Sequence, residues 1–167
     1  MQFHTDDPSP LIEATFERIR VERMVGLSML NPALAVAAVG FERRDDQGGE
    51  WRGVLVTPWG INLLLLPASR DWPAPASHQR AFREYPAGNF AFLPNREDGL
   101  GDYLACPLIH DMQQFADQET ALLTARASLI AIDLAPPAPA AAGGSMAPEA
   151  SEAPESPGRR KLFGLRG

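Results

Sequence analysis

Residues 50–57 and 61–66 are apolar on both of their alternating faces, and that limits the possible fold more than any other feature of the chain. In an antiparallel sheet with one wet face, every second side chain is polar. Here Trp51, Gly53 and Leu55 fall on one side of the first segment and Val54 and Val56 on the other, while Ile61, Leu63 and Leu65 oppose Leu64 and Leu66 in the second. Thr57-Pro58-Trp59-Gly60 turns between them, with Pro58 fixing φ at the first corner and Gly60 releasing the chain. Such a hairpin has to be covered on both faces. The run from Ile61 to Pro67 is far shorter than the ~20 residues that span a bilayer, so it reads as a buried strand.

The flanking sequence supplies the cover. Ser9 and Pro10 suit a helix start, and Ile12, Phe16, Ile19 and Leu27 recur at helical spacing until Asn31-Pro32 ends the helix. Residues 33–43, the turn-rich Asp45-Asp-Gln-Gly-Gly49 and residues 50–57 form a strand–turn–strand unit. Residues 67–86 hold four prolines but allow a short helix near Ser77 to Glu84, with Ala81, Phe82 and Tyr85 inward. Asn89 to Leu93 and Tyr103 to Leu108 read as two more strands joined by the loop from Pro94 to Gly101. A closing helix runs from about Asp117 to Ile132, with Leu122, Leu123, Ala127, Leu129 and Ile130 as its apolar residues. The expected fold is α+β: a mainly antiparallel sheet of about five strands with an N-terminal helix, a short middle helix and a C-terminal helix, then a disordered tail.

Two long helices can cover one face of the hairpin. The other is then closed by residues 67–86, closed by a second copy, or left partly open as an apolar patch that receives another protein.

Catalytic chemistry is thinly represented. The chain has one Cys and three His, and no paired spacing that would hold zinc or an iron–sulfur cluster, so no metal and no cofactor are expected. Cys106-Pro-Leu-Ile-His110-Asp111 invites a nucleophile–base–orienter reading, but the thiol sits in an apolar strand, where free Cys behaves as a small hydrophobe. No catalytic residue is assigned. The glycines of Gly99-Leu-Gly-Asp102 and Pro86-Ala-Gly-Asn89 match no phosphate-binding loop. Among Trp51, Trp59 and Trp72, Trp59 is the best partner anchor, because a turn position exposes it. A net charge of −6 argues against nucleic acid as a partner. The N-terminal residues carry acid where a secretory signal would carry a basic and then an apolar run, so the expected compartment is the cytoplasm, without stable membrane insertion.

Composition breaks after Leu134, giving an ordered domain over residues 1–134, an Ala/Pro-rich disordered linker over 135–158 and a basic-apolar peptide over 159–167. Arg159 and Arg160 suit carboxylates, phosphates or anionic head groups, with Leu162, Phe163 and Leu165 as apolar anchors; a solubilising tail is the plain alternative. A coil of the linker's length spans ~25–30 Å, enough to present the peptide over much of the domain.

The order Gly49-Glu-Trp-Arg-Gly-Val-Leu-Val-Thr-Pro-Trp59, a short apolar strand ending at Pro67, Tyr85-Pro-Ala-Gly88, Asp102-Tyr-Leu-Ala-Cys-Pro-Leu108 and Arg159-Arg-Lys-Leu-Phe-Gly164 resembles the HybE/HupJ family of nickel–iron hydrogenase assembly chaperones. The resemblance covers nearly the whole ordered body and the tail tip. It implies a cytoplasmic, non-enzymatic factor that holds the iron–sulfur small-subunit precursor, with its twin-arginine signal, until the large subunit joins and export follows. The large subunit and other maturation factors are the further partners it implies. Some relatives carry a fused rubredoxin, whose Cys pairs are absent here. Partner contacts are expected at Thr57, Pro58, Trp59, Tyr85, Tyr103 and Cys106, and in the tail at Arg159, Arg160, Phe163 and Gly164. A general peptide-binding module and a Cys106-dependent hydrolase or transferase are the rival readings.

Overall fold

The computed structural model describes residues 1–136. Helix α1 (Ser9–Arg23) precedes strands β1 (Ala37–Arg44), β2 (Glu50–Thr57), β3 (Gly60–Pro67), β4 (Ala81–Tyr85), β5 (Gly88–Glu97) and β6 (Gly101–Ile109), and helix α2 (Gln118–Ile132) follows. Every neighbouring pair is antiparallel, in the order β1-β2-β3-β6-β5-β4. The chain therefore builds three strands in sequence, crosses through residues 68–80 to the far edge, and returns strand by strand until β6 closes on β3. The expected residues 135–158 linker and 159–167 peptide lie almost wholly outside the described residues.

The expected division of the hairpin into two apolar faces holds, but its cover is shared differently. Val54, Val56, Ile61, Leu63 and Leu65 face α2 in one core cluster, whereas Trp51, Leu55, Leu64 and Leu66 face Ile12, Phe16 and Ile19 of α1 in a second. The two helices lie on opposite faces instead of sharing one, because each face of the hairpin has its own apolar surface to remove from water. Leu63, Leu64, Leu65 and Leu66 are all essentially inaccessible, and burying each such side chain contributes about 1.5–3 kcal/mol. Gly53 permits this packing on the α1 side, since a Cβ there would run into the Phe41 ring.

The short middle helix does not form. Residues 81–85 are strand β4, so the sheet has six strands and the protein two α-helices. Ala81, Arg83 and Tyr85 alternate inward with period two, and Arg83 reaches the carboxylate of Glu50 on β2 through its Nε and Nη2. Since three strands separate β4 from β2 in the sheet order, this pair shows that the sheet curls its far edge back over its own concave side. Pairing with β5 and a buried ionic contact outweigh the local helical spacing that residues 81, 82 and 85 display. The Tyr85-Pro86-Ala87-Gly88 corner then forms a two-residue hairpin turn, with Tyr85 opposite Gly88.

Boundaries shift where side chains compete for caps. Ser9 lies inside α1, its N–H and Oγ–H both donating to Asp7 Oδ1; the helix stops at Arg23, before Leu27. The loop expected over residues 94–101 shrinks to Asp98-Gly99-Leu100, because β5 and β6 run on past the expected ends. Asp117 caps α2 as a side-chain acceptor for the Thr120 N–H. The inward stripe of α2 is made by Ala121, Ala125 and Ile132, with Leu122 and Leu129 half-buried; Leu123, Ala127 and Ile130 are exposed, contrary to expectation.

Candidate functional site

The α1 side of the sheet is only partly covered. Antiparallel register places side chains of paired residues on one face, so Phe82 and its partner Ala91, Leu93 and its partner Ala105, and then Pro107 form one strip across β4, β5 and β6. Phe82 is 57% and Leu93 46% exposed, Pro107 is exposed, and Ala91 and Ala105 are half-buried. Towards α1 the strip deepens into a groove of about 230 Å³, floored by Leu55, Asn62 and Leu64 and walled by Phe16 and Tyr103, with Asn95 at its rim. The Phe16 and Tyr103 rings meet edge to face, with centroids 6.0 Å apart, which fixes the wall. Burial pushes the Tyr103 phenol up to about 12, so it stays neutral at any physiological pH.

The opposite side is covered by α2, and residues 68–80 leave a hollow of about 310 Å³ there between Trp72, Pro75, Pro94 and Leu104. Phe92, Leu104 and Cys106 point into the cluster under α2, and the charged groups there bond to one another or to Trp72. Glu50 accepts from Trp72 Nε1 at 2.9 Å as well as from Arg83. Arg52 forms a two-pronged pair with Asp133 just beyond α2, at 2.9 and 2.6 Å, and its guanidinium carbon lies 4.9 Å from the Tyr85 ring centroid. The pair with Arg52 holds the Asp133 carboxyl below its usual range. The Tyr85 hydroxyl is buried without a hydrogen-bond partner, and burial raises its pKa to about 12.

The expected contact residues separate on this frame. Thr57 is fully buried; its hydroxyl donates to the Gly60 carbonyl and its oxygen accepts from the Trp59 N–H, so it holds the turn. Pro58 is buried too, its carbonyl accepting from Asn31 N–H. Trp59 is half-buried and packed against the α1-side cluster, not freely presented as its turn position suggested. Tyr85 and Cys106 belong to the α2 side, whereas Tyr103 lines the groove. Tyr103 and Cys106, odd and even on one strand, point to opposite faces and form no common surface. Arg159, Arg160, Phe163 and Gly164 lie outside the described residues.

The residues that open the surface, Phe82, Leu93, Asn62, Asn95 and Pro107, were missed. The signal was present in Phe90-Ala-Phe-Leu93, where Leu93 is a large apolar residue on the face opposite both phenylalanines. It requires knowing that α1 stops short.

Nothing in the groove supplies a nucleophile. Cys106, the sole thiol, is 8% exposed on the other face, and burial raises its pKa, the opposite of what an activated thiolate needs. Among the described residues there is no group of three or more His, Cys, Asp or Glu placed to hold a metal ion, and no helix is long and apolar enough to cross a membrane. What the groove can do is take up apolar side chains.

Residues 7–165 match the family described as NiFe-hydrogenase assembly, chaperone, HybE. The chain belongs to the HybE family of nickel–iron hydrogenase assembly chaperones. This HybE-family chain is 34% identical over 131 residues to the hydrogenase expression/formation protein HupT of Azotobacter chroococcum, covering 77% of this chain and 85% of that one. It is 35% identical over 135 residues to the hydrogenase expression/formation protein HoxT of Azotobacter vinelandii, covering 79% and 86%. A 35% match over 130 residues to HupJ of Rhodobacter capsulatus, named a probable rubredoxin, takes in 77% of this chain and 46% of that protein, so the chain spans less than half of that relative. The solution structure of HybE from Escherichia coli superposes with a TM-score of 0.65 over 93% of this chain and 94% of that one; at 22% identity the likeness is one of fold.

Proposed function

We propose that this chain is a holding chaperone for the hydrogenase small-subunit precursor, binding it with its twin-arginine signal in the cytoplasm before the large subunit joins and export follows. The observation that carries the reading is the open strip of Phe82, Ala91, Leu93, Ala105 and Pro107 beside α1. Exposed apolar surface of this kind marks protein-binding sites. Membership of a hydrogenase assembly family supports the client class. No chemistry on the client is needed. The client is held while apolar surface is exposed and is displaced when its permanent partner covers that surface. An interface burying ~1,200–1,600 Å² gives binding weak enough for such release once ordering costs are subtracted.

Tyr103 contributes the groove wall, and Thr57, Pro58 and Trp59 act by holding the adjacent turn, as do Tyr85 and Cys106 by filling the face under α2. Arg159, Arg160, Phe163 and Gly164 add a second client contact from the end of the chain. The test is capture of the small-subunit precursor by tagged full-length protein. Leu93→Lys places an ammonium in the strip and is expected to lower capture at least tenfold; capture equal to wild type would remove the groove from the client site.

A further inference from the structure

We propose that the groove takes its guest as an extended, uncharged apolar segment and binds the guest's main chain through Asn62 and Asn95. This rests on the client-holding reading above and adds the form in which the client is bound. No charged side chain lines the groove, and the ionic groups on adjacent positions are already paired, Arg23 with Glu97 beyond Asn95 on β5, and Arg20 with Glu17 along α1. A charged occupant would lose water without gaining a partner there.

The two carboxamides decide between an extended and a helical guest. Asn62 stands between Ile61 and Leu63 in the most buried part of the sheet, opposite Pro107, which has no N–H to offer. Among the described residues no hydrogen bond engages the Asn62 side chain, although it forms part of the groove floor. Asn95 donates through Nδ2 to the Leu93 carbonyl at 3.0 Å, which leaves its Oδ1 free to accept. A carboxamide carries the same donor and acceptor as a peptide group. A helical guest has bonded its main-chain groups internally except at its ends, and would set apolar side chains against both amides. An extended guest brings a free N–H and a free C=O at each residue. Asn62 is half-buried and lines the groove, so its amide is reachable by a guest's main chain from that side.

The probe is a fluorescein-labelled eight-residue peptide of valine, leucine and alanine with glycine–serine ends, compared with the same peptide N-methylated at alternate main-chain nitrogens, titrated into the full chain and followed by anisotropy. N-methylation and Asn62→Leu are each expected to weaken binding about fivefold, and the two together no more than either alone. Equal binding of the two peptides, binding unchanged in Asn62→Leu, or no binding of the parent peptide at millimolar concentration overturns the proposal. The peptide comparison needs no variant, so it stands even where Asn62→Leu folds poorly. Leu93→Lys separates the two readings. If it abolishes precursor capture while N-methylation has no effect, the client site survives and the extended mode is lost; if precursor capture is untouched, the client-holding assignment fails whatever the peptides do.

Discussion

The two faces of the sheet are built from the same strands, yet only on the α1 side do large apolar strand residues, Phe82 and Leu93, stay exposed. Under α2, large apolar side chains from β2, β3, β5 and β6 meet Ala121, Ala125 and Ile132, and the polar groups Glu50, Arg83, Trp72, Arg52 and Asp133 bond to each other. Under α1, Ile12, Phe16 and Ile19 seal Leu55, Leu64 and Leu66, but beyond Tyr103 the face stays open at Leu93 and Phe82. Under the proposed client-holding function, the face under α2 carries stability and the open one carries binding. Within the sheet the exposed large apolar side chains, Phe82 and Leu93, lie on β4 and β5 and not on the central hairpin, whose buried Leu55 and Leu64 floor the groove.

That contrast breaks most visibly at the buried ion pair. Arg83→Met leaves the Glu50 carboxylate, 1% exposed, without its charge partner, and removing one member of such a pair costs about 3–5 kcal/mol. Urea denaturation should show this loss, with most of it recovered when Glu50→Gln is added. If Arg83→Met is as stable as the wild type, the face under α2 is not held by its polar pairs. A smaller loss, about 1–3 kcal/mol from overpacking, is expected for Gly53→Ala, because the new methyl meets the Phe41 ring in the covered half of the α1 face; Gly53→Ala with Phe41→Leu should regain part of it.

Leu93→Lys belongs to the open half and should leave the unfolding free energy within about 0.5 kcal/mol of wild type while capture collapses. A matching drop in stability would make Leu93 part of the core. The smallest effect is set by pH at His4, whose Nε2 lies 3.0 Å from the Leu100 carbonyl oxygen and whose own carbonyl accepts from Trp51 Nε1, tying the N-terminal segment to the sheet. Burial lowers its pKa, with the Leu100 contact opposing in part. The unfolded chain then binds the proton more readily, so the stability His4 contributes is intact above about pH 6.5 and is lost as pH falls through the lower folded-state value. The thermal midpoint should fall between neutral pH and pH 5 more steeply in wild type than in His4→Gln; parallel curves would show that His4 does not titrate in this range.

How far the sequence could be read follows the range of the interactions involved. Local patterns gave β2, β3 and their turn, because alternation and Pro58-Trp59-Gly60 are properties of neighbouring residues, and they gave α2 over nearly its full length. The same patterns misassigned residues 81–85, where Arg83 is matched by Glu50, thirty-three positions away. Leu123 and Ile130 fit a helical stripe as well as Ala121 and Ala125 do, and only the shape of the sheet beneath selects the alanines. Of the residues lining the groove, the sequence points to Tyr103 but not to Leu93, since an outward leucine is informative only once the reach of α1 is known.

The amino-acid sequence by itself determined that the central hairpin is apolar on both faces, that helices flank the sheet, and that the motifs around Trp59, Tyr85 and Tyr103 resemble the hydrogenase chaperones. Those are consequences of side-chain period and order along the chain. Tertiary structure alone decided that each helix takes one face, that β4 curls back to Glu50, and that one strip of β4, β5 and β6 is left uncovered. Which apolar surface remains in contact with water depends on the area each helix can shade, and that is a property of packed elements rather than of residue pattern.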